Sequence, residues 1–153
     1  MKPSLRLAAL MKLNPIIVFT HDSIGLGEDG PTHQPIEQIN MLRSIPNSNV
    51  FRPADLLETA LCWEAAINII NGPSFLCLSR QNLPQISNKK IPINDFKGAY
   101  IIEQNSSKNH ITLIATGSEV SLAIEVSKNL KEKGIYSKVV SMPSTSTFEK
   151  QSK

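Results

Sequence analysis

Short apolar runs rich in β-branched residues alternate along this chain with segments whose apolar positions recur every three or four residues. PIIVFT (residues 15–20) and SFLCLS (74–79) are of the first kind and read as strands buried on both faces. Between them THQPIEQINMLRSI supports a helix, NVF a short strand, and ADLLETALCWEAAINII a long helix with apolar residues at 56, 60, 63, 67 and 70. Asp55, followed three residues later by Glu58, resembles a capping pair at the start of that helix. The order β-α-β-α-β predicts a parallel sheet with right-handed crossovers.

Residues 81–97, QNLPQISNKKIPINDFK, are polar and aperiodic and carry two prolines, which marks a linker. Beyond it the pattern restarts. AYIIE (99–103) and ITLIATG (111–117) read as strands, SEVSLAIEVSKNLKEKG as a helix capped by Ser118 and closed by Gly134, and YSKVVSM (136–142) as a strand. The closing PSTSTFEKQSK reads as frayed. The fold class expected is therefore α/β, with two partial parallel-sheet domains over 1–80 and 98–153 joined by the linker. Each is only a piece. Two consecutive right-handed crossovers place both helices of the first piece on one side, leaving residues 4–12 for the other, and the second piece has one crossover helix. Apolar surface must then be shared between the pieces or offered to another chain.

Composition narrows the class. With 41% hydrophobic and 19% charged residues the chain lies in the soluble globular range, and no apolar run approaches the roughly 20 residues of a membrane span. Arg6 and Lys12 interrupt the N-terminal apolar stretch and no small-residue cleavage site follows, which argues against a secretory signal. The net charge of +3 arises in the second half: residues 1–80 carry six basic and seven acidic side chains, residues 81–153 ten and six. Those lysines stand singly among acids, as on a solvated face, so neither nucleic acid nor membrane is expected as a partner. Cys62 and Cys77 lack a C-x-x-C or Cys/His setting and read as two buried free thiols of a cytoplasmic protein.

The densest chemistry lies in HDSIGLGEDGPTH, residues 21–33, where Gly25, Gly27 and Gly30 have the spacing G-x-G-x-x-G. A dinucleotide loop needs a strand running straight into the glycines and a helix opening from them. Here four residues intervene, Glu28 and Asp29 would repel a pyrophosphate, and Pro31 follows at once. The acids miss calcium-loop spacing, and His21 and His33 have no third metal ligand in view. What the loop offers is two histidines and two acids just past a strand end, where ligands of open parallel sheets bind, with Arg80 just past another. A guanidinium there suits a phosphate or carboxylate. Two readings stay open on these grounds: a pocket for a polyhydroxylated anion such as a sugar phosphate, or a structural loop whose histidines cap backbone groups while Arg80 pairs a surface acid.

THDSIGLGEDGPTHQPIEQ, with LSRQNLP, ATGSEVSLA and VVSMPS downstream, resembles transketolase, the thiamine-diphosphate enzyme that moves two-carbon ketol units between sugar phosphates. The likeness runs from RLAALM to about Phe148. Dihydroxyacetone synthase shares much of the loop, and deoxyxylulose-phosphate synthases share its D-G-x-T-H core. The resemblance implies that His21 and Arg80 contact the substrate phosphate, and that Asp29 and His33 bond the sugar hydroxyls and the oxygen near the reacting carbon, with His33 the catalytic residue. It further implies a homodimeric family using thiamine diphosphate and a divalent metal, magnesium or calcium. The family's G-D-G and asparagine metal motif, its activating glutamate and its stacking aromatics have no counterpart in this stretch, so no cofactor-binding or metal-binding residue is assigned here. The chain accordingly reads as a segment covering the later pyrimidine-binding domain and the opening of the C-terminal domain. It would be inactive alone, and would either need a separate chain carrying the cofactor half or be a non-catalytic remnant or interaction module. Asn40 stands where a small residue is more usual.

Overall fold

A computed structural model describes residues 2–26, 28–86, 91–105 and 111–151. Three strands, β1 (Ile16–Phe19), β2 (Asn49–Phe51) and β3 (Ser74–Cys77), form one sheet, and α1 (Lys2–Leu10), α2 (Gln38–Arg43) and α3 (Leu56–Asn68) pack on it. All pairings are parallel, but the order is β1-β3-β2. The chain therefore passes outward from β1 to β2 and returns to β3. Crossovers of one hand that run in opposite directions place their helices on opposite faces. Leu5 and Ala9 of α1 and Leu42 of α2 cover Val50, Phe75 and Cys77, whereas Leu61, Cys62, Ala65 and Ala66 of α3 cover Phe51 and Leu76. The expectation that both crossover helices share a side is thus overturned by strand order, and this sheet is covered on both faces.

The second sheet joins β4 (Tyr100–Gln104), β5 (Ile111–Ala115) and β6 (Ser137–Ser141) in the order β4-β6-β5. The helix α4 (Glu119–Glu132) connects β5 to its parallel neighbour β6, and β4 adds an antiparallel edge. Gly134 closes α4 as anticipated: its N–H donates to Lys131 O and that of Ile135 to Leu130 O, both at 3.0 Å. Ser118 does not cap α4 through its side chain, because its hydroxyl is engaged by Arg52 and Glu119 instead. On the sheet, Ile101, Val140 and Ile114 stand side by side in register, and the two isoleucines are exposed.

Two further expectations fail for packing reasons. The closing segment is not frayed: Thr145–Glu149 forms α5, whose N-cap Ser144 accepts from Thr147 N, and Ser146 Oγ accepts from Val50 N at 3.3 Å on the edge of β2. The apolar stripe at 56, 60, 63, 67 and 70 faces outward, Ile67 being 65% exposed and Ile70, just beyond the end of α3, 72%. The buried stripe is Leu61, Cys62, Ala65 and Ala66, whose small side chains let the helix lie close to the sheet. Within the suggested linker, Ile91, Ile93 and Phe96 pack on that same face.

Cys62 and Cys77 are free and buried, and burial pushes the Cys77 thiol up to about 12. Among the described residues no helix is long and apolar enough to cross a membrane.

The outward stripe of α3, the exposed Leu7 and Leu10 of α1 and Met11 just after it give the molecule adhesive apolar surface. The chain is expected to bind a hydrophobic-surface dye and to associate as its concentration rises, with Trp63, the single tryptophan, reporting through its emission. Ile67→Glu, at a solvent-facing position, should keep the fold and reduce both effects. Equal dye binding by this variant would place the adhesive surface elsewhere.

Candidate functional site

β1 and β3 stay paired to their ends, Phe19 opposite Cys77, and Leu78 N donates to Phe19 O at 2.7 Å. The chain therefore leaves both strands at the same carboxyl edge, carrying His21 from one and Arg80 from the other. β3 stops at Cys77, so Arg80 follows it by three residues and not directly.

His21 has φ +61°, a left-handed backbone that a non-glycine residue adopts at a cost of about 1–3 kcal/mol. That turn aims its ring at the loop. Its Nδ1 lies 3.0 Å from the Thr20 hydroxyl and its Nε2 3.8 Å from Asp29 Oδ2. The His21 and His33 rings stand 5.6 Å apart, and His33 Nδ1 lies 2.9 Å from the Thr32 hydroxyl. Two imidazoles and a carboxylate are thus gathered on partly exposed surface, with the Nδ1 atoms anchored by neighbouring threonines. Gly30, at φ +73°, turns the chain between Asp29 and the short 3-10 helix Pro31–His33 so that both side chains face His21.

Arg80 is exposed, and no hydrogen bond or ion pair ties it to another described residue. It leaves the same edge, but no hydrogen bond or ion pair joins it to the three loop residues. The loop does lie against its neighbour: a Cβ on Gly25 would sit 2.8 Å from Gln81 Nε2. The geometry therefore gathers His21, Asp29 and His33 and sets Arg80 at the same end of the sheet.

Beneath this cluster lies a charged network that the sequence reading does not single out. Arg52, directly after β2, is 6% exposed. Its Nε donates to the buried Asp22 Oδ2 at 2.7 Å, one terminal nitrogen to Thr116 O at 2.8 Å and to Glu119, and the other to Ser118 Oγ at 3.2 Å. Burial pulls the guanidinium pKa down, but the bonds and charges of Glu119 and Asp22 outweigh it and hold the group above its ordinary value. For Glu119 burial raises the carboxyl, but the hydrogen bonds from Arg52 and Ser118, the charge of Arg52 and a backbone bond together outweigh it and hold the group below its ordinary value. Gly117 lets the turn close on the cation, since a Cβ there would meet the guanidinium at 2.8 Å. The signal for Arg52 is the one that marks His21 and Arg80, a polar residue just past a parallel strand.

A cavity of about 330 Å³ adjoins the network, lined by Asp22, Gln38, Arg43, Arg52 and Glu119 and by isoleucines. It includes none of the four site residues anticipated from the sequence. Among the described residues no cluster of three His, Cys, Asp or Glu side chains could hold a metal ion.

Comparison with known proteins gives a consistent set of relatives. Residues 1–85 match the family described as transketolase, pyrimidine binding domain, and residues 98–153 the transketolase-like TK C-terminal domain. The transketolase of Buchnera aphidicola subsp. Baizongia pistaciae is 52% identical over 151 residues, covering 98% of this chain and 23% of that protein. The crystal structure of Pichia stipitis transketolase in complex with sedoheptulose-7-phosphate superposes with a TM-score of 0.91 at 47% identity, over 99% of this chain and 22% of the other. A split gene transketolase, described as an inactive beta4 tetramer, superposes with a TM-score of 0.71 at 30% identity, over 88% of this chain and 41% of its own. The chain thus spans under a quarter of the full-length relatives.

Proposed function

We propose that this chain, which belongs to the transketolase family, supplies sugar-phosphate-binding residues for transfer of a two-carbon ketol unit from a ketose phosphate to an aldose phosphate in the cytoplasm. The observation that carries the reading is the gathering of His21, Asp29 and His33 at the sheet edge from which Arg80 also departs. In this reading Arg80 and His21 bind the phosphate through charge-assisted hydrogen bonds, and Asp29 accepts from sugar hydroxyls. His33, its Nδ1 fixed by Thr32, presents Nε2 to the oxygen beside the reacting carbon. Their share is orientation and exclusion of unproductive poses.

The family depends on thiamine diphosphate, which supplies the carbanion-stabilising chemistry. In this reading none of the four site residues is assigned to the metal-diphosphate cradle. That half, with magnesium or calcium, is assigned to another polypeptide region or a separate chain, and the split-gene relative supports the second arrangement. Its beta4 state is described as inactive, which also favours a second reading: a non-catalytic remnant or interaction module.

Mixing the chain with a polypeptide carrying the rest of a transketolase, thiamine diphosphate and magnesium distinguishes the two. Complex formation and ketol transfer from xylulose 5-phosphate to ribose 5-phosphate are expected, with neither component active alone. Absence of both complex and transfer would leave the non-catalytic reading.

A further inference from the structure

We propose that Arg52 is a positioning residue for the histidine cluster, making its geometry depend on docking of the second sheet; the proposal rests on the sugar-phosphate site described above. Arg52 is bonded to both parts of the molecule at once. On one side it grips Asp22, the residue next to His21, whose side chain is only 1% exposed. On the other it reaches Thr116 O, Ser118 and Glu119, the turn that leads from β5 into α4. The backbones are tied as well, for Gly117 N donates to Arg52 O at 3.1 Å and Arg52 N to Pro143 O at 2.8 Å.

His21 needs such an anchor. A histidine at φ +61° relaxes toward ordinary backbone unless the residues around it are held. Asp22 provides the hold through its carboxylate to Arg52 and through its carbonyl, which accepts from Gln38 Nε2 at 2.8 Å. If the turn at 116–119 moves, the guanidinium loses three of its four acceptors, and Asp22 is left with a cation no longer fixed in place. The reach of His21 toward Asp29 and His33 then changes although neither is hydrogen-bonded to Arg52. A buried bridge of this kind couples the two ends energetically, in either direction.

The test uses the whole chain and reads the histidine ring signals by NMR together with titration by inorganic phosphate. Arg52→Lys keeps a cation beside Asp22 but cannot span to the turn. Glu119→Gln, at a half-exposed position in the second part, cancels the charge that faces Arg52 and leaves one oxygen where the carboxylate uses two, for Arg52 and for Ser118. Both variants are expected to melt as cooperatively as the parent, to shift the His21 ring signals, and to bind inorganic phosphate about fivefold or more weakly. Should Arg52→Lys fail to fold, Glu119→Gln decides alone. Folded variants with unmoved His21 signals and unchanged phosphate affinity would overturn the proposal. If the parent chain itself binds no phosphate, the sugar-phosphate reading fails, while the His21 signals still judge whether Arg52 sets the ring's position.

Discussion

Arg80→Ala is expected to weaken binding of ribose 5-phosphate about 10- to 100-fold while leaving the melting temperature within about 1 °C, the range set by losing charge-assisted hydrogen bonds of about 1.5–3 kcal/mol. The two halves of this expectation have different physical sources. Arg80 is exposed and makes no hydrogen bond or ion pair with another described residue, so its removal strands no buried partner and opens no cavity. Its guanidinium, whose five donors are unbonded among the described residues, is in the proposed site the dedicated cation for a phosphate at the carboxyl edge of the sheet, where the field of the His21–Asp29–His33 cluster is mixed. Arg80→Lys should fall between parent and alanine, since an ammonium keeps the charge and loses the paired geometry. Calorimetric titration with ribose 5-phosphate and with ribose separates the roles. Arg80→Ala should affect only the phosphorylated sugar, whereas Asp29→Ala should weaken both. An Arg80→Ala protein that binds ribose 5-phosphate like the parent would remove Arg80 from the site.

Which parts of this arrangement are legible in the sequence follows from the range of the forces involved. The runs that form β1, β3 and β6 and the capping pair Asp55–Glu58 are local signals: Asp55 Oδ1 accepts from Glu58 N at 2.9 Å, as the spacing suggests. Strand order is not local. Nothing in NVF says that β2 lies on the far side of β3 from β1, yet that order decides which faces α2 and α3 cover. Helical period fails for α3 because apolar residues occupy two stripes, and periodicity alone cannot tell the stripe that meets the sheet from the one that meets solvent. The loop chemistry is legible as an inventory and as strand-end placement, and His21, Asp29 and His33 do lie together. Arg52 escapes because its acceptors come from residues 22, 116, 118 and 119, a convergence that exists only after both sheets have docked.

Glu58 makes the other large contribution across the same junction, and Glu58→Ala is expected to destabilise the chain by about 3 kcal/mol, or about 6–12 °C in melting temperature. Its carboxylate is 3% exposed and has three donors: Ala54 N at 2.7 Å, Tyr100 Oη at 2.6 Å and Ser141 Oγ at 2.5 Å. The first closes the cap of α3, while the other two come from β4 and β6 of the second sheet. Alanine would leave an amide and two hydroxyls buried without an acceptor, each a cost of about 1–3 kcal/mol, partly offset because a buried charge also disappears. Glu58→Gln keeps an acceptor oxygen and should cost less. It also carries a signature in pH. Burial raises the Tyr100 pKa, and the Glu58 charge and hydrogen bond raise it further, so the folded phenol titrates above the roughly pH 10 of an unfolded one. The phenol's share of stability is then fully present below about pH 10 and is lost as pH rises above it. With glutamine the charge is gone and only part of that upward shift persists. Phenolate absorbance should therefore show one tyrosine ionising at lower pH in Glu58→Gln than in the parent. If both proteins titrate identically and Glu58→Ala melts within about 2 °C of the parent, the carboxylate does not hold the two sheets together.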